Sequence, residues 1–62
     1  MVIKARKNSI YGSLEFEPTY INNEKILSLE SGDGYAIIRL SDNLSYITEH
    51  NFDEVIKILN FG

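Results

Sequence analysis

Ser31-Gly32-Asp33-Gly34 is the strongest turn signal in this chain, because its glycines and aspartate sit between two apolar runs. The run before it, Ile26 to Glu30, and the run after it, Tyr35 to Leu40, are each about the length of one strand. A hairpin joining them is therefore the firmest pairing in the sequence. Tyr35-Ala36-Ile37-Ile38-Arg39-Leu40 is apolar on both faces, with Ala36, Ile38 and Leu40 on one and Tyr35 and Ile37 on the other. A strand of that kind belongs inside a sheet rather than at its border.

The flanking segments extend the same pattern. Ser41-Asp42-Asn43 turns the chain, and Leu44 to Thr48 follows as a strand with Leu44, Tyr46 and Thr48 opposed to Ser45 and Ile47. Leu27 and Leu29 are expected to point inward from the first arm of the hairpin. Further upstream, Ile10, Gly12, Leu14 and Phe16 alternate with Tyr11, Ser13, Glu15 and Glu17, which predicts a half-buried strand ended by Pro18. Val2 to Arg6 reads as a short edge strand, with a tight hairpin at Lys7-Asn8-Ser9. A second turn is expected at Asn22-Asn23.

Only the C-terminal segment has a helical period. Phe52, Val55, Ile56, Ile58 and Leu59 fall within an arc of roughly 160° at 100° per residue. Asn51 suits the N-cap, and Glu54 can reach back to the Asn51 amide, completing a capping box. The expected architecture is thus α+β: an antiparallel meander of four to five strands with one C-terminal helix packed on one face, in a single domain over residues 1–62.

A chain of 62 residues without cysteine has neither disulfides nor a thiolate metal site to assist a small core. The 44% hydrophobic content must do so instead, through dense packing, an oligomer interface, or both. A helix of about ten residues is roughly 15 Å long and covers about three strands spaced at about 4.8 Å. Five strands carry more apolar surface than that. Either the meander curls into a partial barrel, or Tyr35, Ile37, Ile47 and their neighbours meet another chain.

No catalytic motif accompanies this fold. His50 is the sole histidine and has no Ser, Asp or Cys placed by a recognisable pattern, so a non-enzymatic protein is expected, without cofactor or metal. Glu15 and Glu17 read as solvated surface, and Asp33 and Asp42 as turn residues outside any calcium-loop spacing. Gly32-Asp33-Gly34 joins two strands rather than opening a helix, which excludes a phosphate-cradling loop.

Four tyrosines in so short a chain point towards recognition. Tyr11, Tyr35, Ile37 and Arg39 are the expected partner-binding residues, on the sheet face turned away from the helix. The expected function is a small protein-interaction module, a regulator or inhibitor, with self-association as the simplest form. Its Ile- and Asn-rich composition resembles products of AT-rich genes, such as those of low-GC bacteria and their phages. The alternative is a weak nucleic-acid binder using Lys4, Arg6 and Lys7, with Tyr11 for stacking. Against it, the net charge is −3 and the body beyond the first seven residues is acidic. No apolar run is long enough to span a membrane and no signal-peptide pattern opens the chain, so the expected location is cytoplasmic.

Overall fold

The computed structural model describes every residue except Tyr11, Ser13 and Gly62, with Asn60 and Phe61 described by backbone alone. The strands are β1 (Val2–Lys7), β2 (Glu17–Tyr20), β3 (Ile26–Ser31), β4 (Ala36–Leu40) and β5 (Ser45–Thr48). A short 3-10 turn occupies Asn23–Lys25, and helix α1 (Phe52–Phe61) ends the chain. All strand pairs are antiparallel, in the order β2-β1-β5-β4-β3. The fold is the expected α+β meander with one helix. The sheet is open, with β2 and β3 as its edges, so it does not close into a partial barrel.

The β3–β4 hairpin forms in the expected place, with Glu30 opposite Ile37 and Ser31 opposite Ala36. Gly34 adopts φ 81°, a left-handed conformation that glycine supplies at least cost. Between β4 and β5 the left-handed position is taken by Asn43, at φ 61°. The Leu40 amide closes that turn on the Leu44 carbonyl at 2.8 Å. The Asn22-Asn23 turn forms differently: Asn22 stays extended, and its side chain accepts from the Glu24 amide to cap the 3-10 turn.

Several expectations for the N-terminal half are overturned. Among the described residues of 10–17 only Glu17 belongs to a strand, as the start of β2; a long connection separates β1 from β2, and Ile10 and Leu14 are 90% and 82% exposed. Register gives the reason. Ala5 pairs with Glu17, and beyond it Lys7 pairs with Tyr46 on β5, so the ladder between β1 and β2 stops at Glu17. The alternating Ile10 and Leu14 therefore have no buried face to serve. Pro18 lies inside β2 rather than ending a strand. Met1 and Ile21 exchange two backbone bonds of 2.8 Å, and alternation along the ladder makes Lys4 and Pro18 a non-hydrogen-bonded pair. The proline nitrogen thus faces away from β1, where no donor is needed. β1 itself lies between β2 and β5 and is not an edge. Leu27 sits at a bulge between Ile26 and Ser28 and is 70% exposed, rather than inward.

The core lies between the sheet and α1. Ile3 and Ala5 of β1, Ala36, Ile38 and Leu40 of β4, Ile21 after β2, and Val55 of the helix are buried together. Ile58, Leu59 and Tyr46 pack against this cluster. The buried Thr48 hydroxyl donates to the His50 carbonyl at 3.0 Å and so ties the end of β5 to the approach of α1. The capping box forms as expected: the Glu54 amide donates to Asn51 Oδ1 at 2.9 Å, and the Asn51 amide to Glu54 Oε1 at 3.2 Å.

Candidate functional site

Strand alternation assigns every paired residue to one of two faces, and α1 takes the face containing Ile3, Ala5, Ala36 and Ile38. The opposite, outer face has no helix or strand over it among the described residues. Its middle is the Ile47–Ile37 cross-strand pair, flanked in the same row by Arg6 on β1 and Glu30 on β3. One row on, Lys4 lies opposite Pro18 and reaches Glu49 at 3.8 Å. Arg39 opposes Ser45 in the next row the other way, and its Nε donates to Glu30 Oε2 at 2.9 Å.

The structure thus brings together most of two separately predicted sets. Ile37 and Arg39 share the outer face of β4 and Tyr35, one residue before that strand, continues their alternation, with Tyr35 39% exposed and Ile37 half-buried. Lys4 and Arg6 of the basic trio join them on that face. Lys7 does not: it pairs with Tyr46, which pairs with the buried Ile38, so it belongs to the helix side of the sheet. The trio is therefore split, and the nucleic-acid patch it was expected to form is not assembled as such. Tyr11 lies outside the described residues.

Two features of the face escape sequence reasoning. Ile47, already one of the outward residues, proves to be the direct partner of Ile37. The Arg6 guanidinium sits 5.5 Å from the centroid of the Phe16 ring, a cation–π contact reaching across the β1–β2 connection. Among the described residues Lys4 and Arg39 have carboxylate partners, whereas Arg6 meets the ring. With Lys4, Arg6 and Arg39 against Glu30 and Glu49, the paired and ion-paired side chains of this face carry a formal +1 in a chain of net −3.

Other groupings are less organised. A cleft of about 270 Å³ at the β1–β2 end is bordered by Arg6, Lys7, Glu15, Glu17, Thr19 and Tyr46, whose two cations and two carboxylates offset one another. His50 Nδ1 lies 3.5 Å from Glu54 Oε2, one turn along the helix start. The hydrogen bond from the Asn51 amide, and then that from the His50 side chain, hold the Glu54 carboxyl below its ordinary value. Among the described residues no three His, Asp or Glu side chains are grouped as metal ligands would be. No described helix is long and apolar enough to cross a membrane. Comparison with known proteins returns no matching family model, no matching curated protein and no matching solved structure.

Proposed function

We propose that this chain is a small non-enzymatic protein-interaction module, a regulator or inhibitor, that engages its partner through the outer sheet face. The observation that carries the reading is the uncovered Ile37–Ile47 pair, with Tyr35 on one side and the Arg39–Glu30 ion pair on the other. An aliphatic and aromatic middle bordered by oriented charges is the usual composition of a recognition surface. The partner is either a second copy of the chain or a different protein.

Photo-crosslinking groups placed singly at positions 37, 47 and 57 test the proposal in cells that make the protein. Position 57 lies on the exposed side of α1 and serves as the control. Adducts are expected from 37 and 47, absent from 57, and lost on Ile37→Glu. Adducts from 57 alone would refute it. Sedimentation across micromolar concentrations separates self-association from a different partner.

Nucleic-acid binding is retained as a second reading because Lys4, Arg6 and Arg39 share a face with Tyr35. Oligonucleotide titration at low salt tests it, since counterion release favours binding most under those conditions.

A further inference from the structure

We infer that the outer face docks a protein segment with an aliphatic or aromatic centre and acidic flanks, Arg6 receiving a partner carboxylate while Ile37 and Ile47 receive the adjoining apolar side chain. The inference rests on the reading that this face is the interaction surface, and goes beyond it by naming the chemistry of the occupant.

Charge complementarity is the first argument. Of the side chains that strand pairing and ion pairs place on the outer face, three are cationic (Lys4, Arg6 and Arg39) and two are carboxylates (Glu30 and Glu49), so the face is +1 in a chain of net −3. Lys4 and Arg39 are held by Glu49 and Glu30. Arg6 is different: the Phe16 ring holds its guanidinium in place and leaves its fork of donors to be matched by a carboxylate. A side chain already ordered by a ring loses less rotamer freedom on binding, and an arginine so placed beside apolar surface has the features of an energetic anchor.

The same features rank the other occupants. A polyanion would meet Glu30 and Glu49 among the cations, and the chain's net charge of −3 would repel it at long range. At its middle the aliphatic Ile37 and Ile47 provide no π-surface, which leaves Tyr35 at one end for a base to stack on. A second copy docked face to face would set +1 against +1, and the carboxylates it could offer from that face, Glu30 and Glu49, are already held by Arg39 and Lys4. A foreign segment can place its few acidic groups where the cations are.

Selection of random peptides on the immobilised full-length chain tests the inference, followed by binding measurements with the strongest synthetic peptide. Enriched peptides should combine Asp or Glu with Ile, Leu, Val or an aromatic residue. Binding should weaken about tenfold or more with Arg6→Gln and with Ile37→Glu, remain unchanged with Lys57→Gln, and weaken as salt is raised. Peptides without acidic bias, no enrichment at all, or indifference to Arg6→Gln would overturn the inference while Ile37→Glu still reports on the face. Indifference to Ile37→Glu combined with sensitivity to Lys57→Gln would instead overturn the choice of face. Displacement of the peptide by oligothymidylate at physiological salt would replace the protein segment with a polyanion.

Discussion

The ring of Tyr35 occupies the space that a Cβ on Gly32 would need, while the Gly32 amide donates to the Tyr35 carbonyl at 2.9 Å. The glycine is therefore a seat for the aromatic residue at one end of the outer face. Gly32→Ala forces a choice between backbone and ring, and the obstructing atoms are the far end of a partly exposed side chain. The ring should swing out. Stability should fall by less than about 1 kcal/mol, because alanine also reduces the freedom of the unfolded chain. Nuclear Overhauser contacts between the Tyr35 ring and residue 32 should disappear, and peptide binding at the face should weaken. Retention of those contacts in the alanine variant would contradict the seat.

The helix start gives a pH-dependent prediction. Glu54 titrates below its ordinary value of 4.5 because the Asn51 amide, and then His50, stabilise its charged form. A carboxyl depressed in the folded state adds stability that is fully present above the unfolded value and disappears as pH falls through the folded one. Urea midpoints should therefore drop on acidification from about pH 5 downwards, and Glu54→Gln should flatten that decline. Asn51→Ala removes the other half of the cap and should cost about 1 kcal/mol near neutral pH. An unchanged acid limb in Glu54→Gln would show that other carboxyls govern it.

Buried and apparent apolar positions separate by mutation. Val55 and Ile38 are fully buried, so Val55→Ala should cost about 2 kcal/mol and Ile38→Ala about 3–4 kcal/mol. A chain of this length has roughly 3–9 kcal/mol of total stability, so the second change should leave it close to unfolding. Ile10→Ala and Leu14→Ala should each stay within about 0.5 kcal/mol, since those side chains are already in solvent. A loss comparable to that of Val55→Ala at Leu14 would restore the strand expected there.

That contrast shows where sequence patterning succeeds. In β4, β5 and α1 the apolar period, the turn residues and the cap all agree, because each element packs on its neighbour in the chain or on the face that α1 covers. Ile10 and Leu14 have the period without the surface: whether an alternating segment is buried depends on where the register of β1 ends, and that is set by Tyr46 and Ser45 far along the chain. Ile21 escaped notice for the converse reason, being a single apolar residue beside a turn that non-local packing buries completely. Of the candidate face, Tyr35, Ile37 and Arg39 around β4 and Ile47 of β5 were legible. The arrival of Lys4 and Arg6 beside Ile37 follows from inserting β5 between β1 and β4, a topological fact that no local pattern encodes.

Asn43 tests the β4–β5 turn. Its φ of 61° lies in the left-handed region, which alanine adopts at a cost of about 1 kcal/mol and glycine without strain. Asn43→Ala should lower the urea midpoint accordingly, whereas Asn43→Gly should leave it nearly unchanged. Equal effects would mean that the asparagine side chain matters more than its backbone.

Protection of the sheet edges falls to Pro18 and to the bulge at Leu27, because β1, with its Lys and Arg, is interior. Pro18 lies on edge strand β2 with its nitrogen turned away from β1, so Pro18→Thr leaves the β1–β2 ladder intact and adds an outward amide. Monomer stability should change by no more than about 0.5 kcal/mol. The new donor lengthens the unpaired edge on a four-residue strand, inviting a second chain to add itself there. Sedimentation should reveal concentration-dependent association in Pro18→Thr beyond that of the parent protein. Adding Thr19→Lys to the variant should reverse it, because a charge on the added strand's contact row opposes its own copy. If Pro18→Thr instead unfolds the protein without associating, the proline's role is to stiffen β2 rather than to guard the edge.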